Sequence, residues 1–173
     1  MLIGRVERMS DLIDAILKYS RVGRQNDELE SLDLGKIIPE LINAIAPPDH
    51  IKITFETKLP IIMAHKPRIE QLFQNLVSNA IKYIDKPKGK VRIGYQDGTT
   101  HHTFFVSDNG PGIEKKYQEK IFQMFQTLTV IDEKQSTGVG LSVVKKIVEI
   151  YQGKIWLESE PGIGSKFLFT IKK

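Results

Sequence analysis

Cysteine is absent from this 173-residue sequence, tryptophan occurs once, and neither sign of charge dominates, the formal net charge being +4. Without thiols there is neither a disulfide framework nor a thiolate metal site, and a reducing compartment is the expectation. Long apolar runs are missing too: none approaches the roughly 20 residues that span a bilayer, and no signal-peptide pattern is visible. A cytoplasmic location is therefore expected, with the full-length protein either free there or anchored at a membrane through sequence outside this chain. The lysines are scattered, which argues against nucleic acid and favours phosphate on a small molecule as the anion bound. There is no internal repeat and no low-complexity tract. What remains, 40% hydrophobic and 27% charged residues, is the composition of one globular domain large enough to bury a core.

The most informative stretch runs Ser107, Asp108, Asn109, Gly110, Pro111, Gly112, Ile113. It follows Thr103, Phe104, Phe105 and Val106, an aromatic and β-branched run that reads as a buried strand. Asp108 is the first ionisable group at the exit of that strand, and its carboxylate can only accept hydrogen bonds. Gly110 and Gly112 allow positive φ and a close approach of backbone to a ligand, and Pro111 stiffens the turn between them. The same residue types make ordinary Asx turns, so the stretch takes its meaning from the rest of the chain.

Residues 1–25 carry Val6, Met9, Ile13 and Ile16 at near-heptad spacing, widened by Leu2, Ile3, Leu12 and Leu17. They predict one long amphipathic helix whose stripe must pack on something. Residues 26–32 read as a linker. Asp33 suits the N-cap of a helix running to Ile45, ended by Pro47 and Pro48. Alternation over residues 51–57 and a short apolar piece at 61–63 predict strands. From Pro67 the spacing of Ile69, Leu72, Phe73, Leu76, Val77, Ala80, Ile81 and Ile84 is helical. Asn75, Asn79 and Lys82 share one face of that helix, and asparagine is a poor helix former, so two on one line point to function.

Residues 91–95 and 102–106 predict strands joined around Asp97 and Gly98. A short helix is expected at Ile121, Phe122 and Phe125, then a polar stretch over residues 126–137. Thr137, Gly138, Val139, Gly140 and Leu141 lead into an amphipathic helix to Tyr151, and a glycine turn entering a helix N-terminus suits an anion. Residues 154–157 and 166–171 predict strands around a turn at 161–164.

In their order these stretches resemble the boxes of the ATP-binding catalytic domain of two-component sensor histidine kinases. That domain belongs to the GHKL superfamily shared with gyrase B, MutL and heat-shock chaperone ATPases. Residues 75–83 (NLVSNAIKY) look like the N box and residues 108–113 (DNGPGI) like the first glycine box. Residues 121–125 (IFQMF) are similar to the F box, 138–141 (GVGL) to the second glycine box and 162–165 (GIGS) to the third. Residues 9–24, with Tyr19, Ser20, Arg21 and Val22, resemble the second helix of the dimerisation and phosphotransfer hairpin, of the kind found in phytochrome-like kinases. The first helix of that hairpin carries the acceptor histidine, followed by an acidic residue and later a proline. None of His50, His65, His101 or His102 has that setting, and the chain is expected to begin inside a longer protein. Two positions depart from the pattern: Ser136 stands where the second glycine box usually opens with glycine, and His65 where an acidic residue often precedes the N-box helix.

The resemblance implies a two-layer α/β sandwich of the Bergerat type, a mixed, mostly antiparallel sheet covered on one face by helices and preceded by one long helix. It implies a division into a hairpin helix at 1–25, a linker at 26–32 and the catalytic domain at 33–173. ATP and Mg²⁺ are the cofactors implied. Asp108 would accept the exocyclic amino group of adenine, with Gly110, Gly112 and Ile113 alongside it. Asn79 would hold Mg²⁺ through its amide oxygen with Asn75 assisting, and Lys82 would neutralise phosphate charge, so that Asn75 and Lys82 serve catalysis. Tyr83 would flank the sugar or base. Gly138, Gly140 and Leu141 would present backbone amides to the triphosphate, and Phe122 and Phe125 would anchor a lid over residues 126–137. The implied partners are a dimerisation helix carrying the acceptor histidine and a response regulator, within a homodimeric full-length protein.

The ATPases of the superfamily place a glutamate one helical turn before the Mg²⁺ asparagine as general base for water. Asn75 stands there, so the expected reaction is phosphoryl transfer to a histidine, resting on positioning and charge neutralisation. An ATP-hydrolysing switch, a serine kinase of the anti-sigma type and a nucleotide-free interaction module are the alternatives. The last is disfavoured by the intact Asp108, Asn79 and glycine turns.

Overall fold

The computed structural model describes residues 13, 16, 17, 19, 20, 28–126 and 137–173. Residues 13, 16, 17, 19 and 20 are helical. The remainder of the helix expected over 1–25, and residues 127–136 of the polar stretch, lie outside the described residues. Among the described residues no helix is long and apolar enough to cross a membrane.

Beyond residue 28, the described residues form two sheets and three α-helices. Strands β1 (Glu30–Asp33) and β3 (Ile61–Ala64) form an antiparallel ribbon. Strands β2 (Ile51–Phe55), β4 (Gly89–Asp97), β5 (His101–Asp108), β6 (Ile155–Glu160) and β7 (Gly164–Lys172) form a five-stranded sheet in the order β2-β4-β5-β7-β6. Only the β2/β4 pair is parallel. The helices are α1 (Leu34–Ile45), α2 (Lys66–Tyr83) and α3 (Gly140–Ile150).

Each helix starts and stops for a local reason. Asp33 caps α1, its carboxylate accepting the Gly35 N–H at 3.0 Å, which satisfies one of the amides a helix start leaves open. The helix ends at Ala46, in the left-handed conformation with φ 51°, just before the two prolines. In α2 a proline sits in the first turn, where its missing N–H costs nothing. His65, before it, makes no side-chain cap. Its backbone N–H instead donates to the Tyr151 hydroxyl at 3.0 Å, and its Nδ1 lies 2.9 Å from the same oxygen. His65 thus ties the start of α2 to the end of α3.

The core lies between the helices and one face of the main sheet. Phe73 of α2 meets Phe104 of β5 and Phe169 of β7 edge-on, and those two rings stack at 5.3 Å. All three are fully buried, and aromatic pairs in these geometries add roughly 0.5–1.5 kcal/mol each beyond their area. Alternate residues Ser165, Phe167, Phe169 and Ile171 of β7 point inward with them, as the period of a strand requires.

Three local expectations change. Glu30, Ser31 and Leu32 were expected in a linker, but they form β1, because Leu32 finds Ile62 as its register partner and both are buried. The short helix expected at 121–125 is replaced by two 3₁₀ turns, Lys115–Tyr117 and Lys120–Phe122. The strands β4 and β5 outrun the expected 91–95 and 102–106, so that Asp108 is the last residue of β5 rather than the first of a loop.

Candidate functional site

Asp108 sits at the end of β5, in register with Val91 of β4 and Ser165 of β7. One carboxylate oxygen accepts the Gly110 N–H at 2.8 Å, which is an Asx turn. Burial pushes the carboxyl pKa above its ordinary value, while the N–H groups of Gly110 and Ser165 and the charge of Lys86 pull it back. A carboxylate that burial leaves short of donors gains from one arriving with a ligand.

The glycines of this turn serve packing before they serve any ligand. Gly112 has φ +74°, and a Cβ there would run into the carbonyl of Glu160. Gly110 does not take the positive φ expected of it; a Cβ would instead crowd Asp108 Oδ1 at 2.8 Å and the Tyr83 carbonyl oxygen at 3.1 Å. That second distance brings the C-terminal end of α2 onto the Asp108 turn. Ile113 donates its N–H to Ser159 Oγ at 2.8 Å. The same hydroxyl reaches the Gly164 carbonyl and Ser165 Oγ, joining the turn at 161–164 to the first one.

Along α2, Asn75, Asn79 and Lys82 lie half-buried on one face. Asn75 donates its amide N–H to the Gln71 carbonyl at 2.9 Å. Its oxygen lies where a Cβ on Gly140 would come within 3.1 Å, so α2 also meets the start of α3. Asn79 makes no side-chain hydrogen bond among the described residues. The Lys82 ammonium lies 5.0 Å from the centroid of the Tyr83 ring. Helix α3 opens at Gly140 behind Val139, which offers no side-chain cap, and the first amides of any helix lack partners within it. Leu141 is half-buried and packs against the core.

The described residues Phe125 and Gly138 meet through their backbones. The Phe125 N–H donates to the Gly138 carbonyl at 2.9 Å, with Phe125 at φ 63° and Gly138 at φ +65°. A Cβ on Gly138 would meet the backbone of Phe125 and Gln126 at 2.8–2.9 Å. Of the two phenylalanines expected to border residues 127–136, Phe122 packs its ring edge-on to Phe167. Phe125 is 47% exposed, whereas Ile121, 4% exposed, joins the core.

Residues 64–173 match the family model described as "Histidine kinase-, DNA gyrase B-, and HSP90-like ATPase". The chain belongs to this family. Among curated relatives, Cyanobacterial phytochrome B of Nostoc sp. is 39% identical over 99% of this chain and 23% of its own length. The adaptive-response sensory kinase SasA of Synechocystis sp. is 35% identical over 94% of this chain and 44% of its own. The chain therefore spans less than half the length of either. Among solved structures, full-length ShkA in complex with AMPPNP superposes with a TM-score of 0.77 at 25% identity, over 93% of this chain and 35% of that one. The histidine kinase ThkA in complex with the response regulator protein TrrA gives 0.72 at 29% identity, over 98% of this chain and 48% of that one.

Within this family fold, the contacts join Asp108, Gly110 and Tyr83 at the end of α2, Gly112 to Glu160, and Asn75 to Gly140 at the start of α3, with Asn79 and Lys82 on the α2 face between. Sequence reading named Ile121 and Asn109 only as parts of their stretches and did not single out Ser159 or Lys86. Asn109 accepts the Lys90 N–H at 2.7 Å and donates to the Lys88 carbonyl at 3.0 Å. Lys86 donates to the Gly162 carbonyl at 2.9 Å. Polar side chains that serve distant backbone carry no local pattern, and only the three-dimensional structure reveals them.

Proposed function

We propose that this chain is the catalytic, ATP-binding part of a cytoplasmic sensor histidine kinase, residues 33–173 forming the nucleotide domain and residues 1–25 a helix of the dimerisation hairpin. One observation carries the reading: α2 touches the Asp108 turn with its last residue and the start of α3 with Asn75, so the two ends of a nucleotide have one common wall. Asp108 accepts from the adenine amino group, which a carbonyl at the same place on guanine would leave unsatisfied. Tyr83 flanks the base or sugar. The open N–H groups entering α3 meet the phosphates, as helix starts meet anions.

The donor set also fits a divalent cation. Asn79 offers an amide oxygen with no partner among the described residues, and a hard cation that binds phosphates and water needs few protein oxygens. Bound there, Mg²⁺ would supply charge neutralisation across the phosphates. Lys82 adds a second positive charge on the same face. Asn75, whose amide N–H is committed to Gln71, assists by holding α2 against α3. Its lack of a carboxylate leaves water without a general base, so the γ-phosphoryl group is kept for a histidine.

The partners in this reading are a dimerisation helix bearing the acceptor histidine and a response regulator, in a homodimeric full-length protein. The test is reconstitution in trans. With γ-labelled ATP, this chain should phosphorylate an added dimerisation hairpin that carries the acceptor histidine, giving an acid-labile, base-stable product that passes to an added response regulator. Release of inorganic phosphate with no labelled hairpin would favour the ATP-hydrolysing alternative.

A further inference from the structure

Three turns meet behind Asp108, and one lysine fastens them. The segment between α2 and β4 carries Lys86, half-buried, whose ammonium donates to the carbonyls of Gly162 at 2.9 Å and Ile163 at 3.4 Å. The turn at 161–164 is thereby held against the first glycine turn, where the Gly162 N–H donates to the Pro111 carbonyl at 2.7 Å. Its far end delivers Gly164 against the Asp108 backbone and Ser165 into register with Asp108. From the other side Asn109 pins the same α2–β4 segment by the Lys88 carbonyl and the Lys90 N–H.

We infer that Lys86 is a positioning residue for nucleotide binding, holding the 161–164 turn so that Asp108 keeps both its place and its negative charge at the adenine end of the site. This rests on the reading of Asp108 proposed above. The neighbours leave the task to Lys86. In register with Asp108, β4 presents apolar Val91 and β7 presents Ser165; the following turn presents only the N–H of Gly110. Of the other charged residues on these elements, Asp85, Lys90 and Glu160 are exposed, and Lys166 lies over the Phe105 ring on the opposite face of the sheet. On α2, Lys82 stands over Tyr83. Lys86 is the charge that draws the Asp108 pKa down against burial. Without it, carbonyls of Gly162 and Ile163 lose their donor, the turn loosens, and the carboxyl takes up a proton at higher pH.

ADP affinity measured by calorimetry across pH 5 to 8, in this chain and its variants, tests the inference. Comparing variant with wild type at each pH cancels the nucleotide's own titration. In Lys86→Met, affinity should fall about tenfold at neutral pH, and the pH at which affinity is half lost should move upward. Lys86→Arg should restore both. Lys86→Gln, which keeps a donor for the carbonyls but no charge, should recover affinity at pH 8 while retaining the shifted profile, and it serves even where the methionine variant folds poorly. Asp108→Asn is the control for the underlying reading. If Asp108→Asn loses ADP while Lys86→Met and Lys86→Gln bind with wild-type affinity and profile, the role of Lys86 is overturned and that of Asp108 stands. If Asp108→Asn binds ADP unchanged, the adenine assignment itself fails, and the Lys86 inference with it.

Discussion

Asp108 carries opposite consequences for stability and for binding, because burial has raised its pKa above the ordinary 3.8. Between that value and the raised one, the native state holds more protons than the unfolded chain, so stability falls as pH rises through the window. At neutral pH the ligand-free carboxylate is a cost, fully relieved only below the ordinary value. Replacing Asp108 by asparagine keeps an acceptor for the Gly110 N–H and removes the buried charge. Thermal melts of the nucleotide-free variant should therefore match or exceed wild type at pH 7, and the difference should vanish near pH 4; a marked loss of stability at pH 7 would contradict this. Asn79 is the complementary case. Its amide has no partner among the described residues, so Asn79→Ala should leave the melt within about 0.5 kcal/mol of wild type while removing most of the gain in ATP affinity on adding Mg²⁺. An unchanged Mg²⁺ dependence, measured by calorimetry, would count against Asn79 as the cation ligand.

At the scale of elements, the helices and the central strands were legible because their apolar periods are local: Phe73, Leu76 and Val77 repeat with a helix, and Phe104 and Val106 alternate with a strand. The ribbon of β1 and β3 was half legible. Ile62 shows in the sequence, but Leu32 sits between Ser31 and Asp33, and its burial depends on a partner strand distant in the chain. The glycine turns were located correctly and explained incompletely, since Gly112 faces Glu160 and Gly110 faces Tyr83, neither of which spacing can reveal. A comparison of two glycines isolates this. Gly112 and Gly162 both have positive φ, at +74° and +81°, but a Cβ on Gly162 would meet nothing within 4 Å. Gly162→Ala should cost about 1 kcal/mol, from left-handed strain alone. Gly112→Ala should cost at least about 2 kcal/mol more, because backbone rather than a flexible side chain blocks the methyl. Equal shifts in urea midpoint for the two variants would show that the turns are not packed as described.

Among the described residues, helical ones ahead of β1 touch the sheet-and-helix unit through Tyr19, which packs against the core. Lys146 of α3 donates to the Tyr19 carbonyl at 2.9 Å, with its ammonium 4.1 Å from the Tyr19 ring centroid. Ile13, Ile16 and Leu17 nearby remain 55%, 45% and 47% exposed, and an apolar stripe left open in this way seeks cover. Sedimentation of the chain should show association that weakens when Ile13 and Leu17 are both replaced by serine, with nucleotide affinity unchanged. No histidine of the chain has the setting of an acceptor in the proposed reading. Purified chain with labelled ATP should therefore bind nucleotide without acquiring phosphohistidine.

The central claim is that Asp108 reads adenine while α2 and the start of α3 hold metal and phosphates, and nucleotide calorimetry on wild type and Asp108→Asn tests it most directly. The account predicts that wild type binds ATP more tightly with Mg²⁺ than without, and GTP far more weakly. It also predicts that folded Asp108→Asn loses about 1–3 kcal/mol of ATP affinity, the cost of a buried donor left facing a donor. Equal affinity for ATP and GTP in wild type, or undiminished ATP binding by the folded variant, would contradict it.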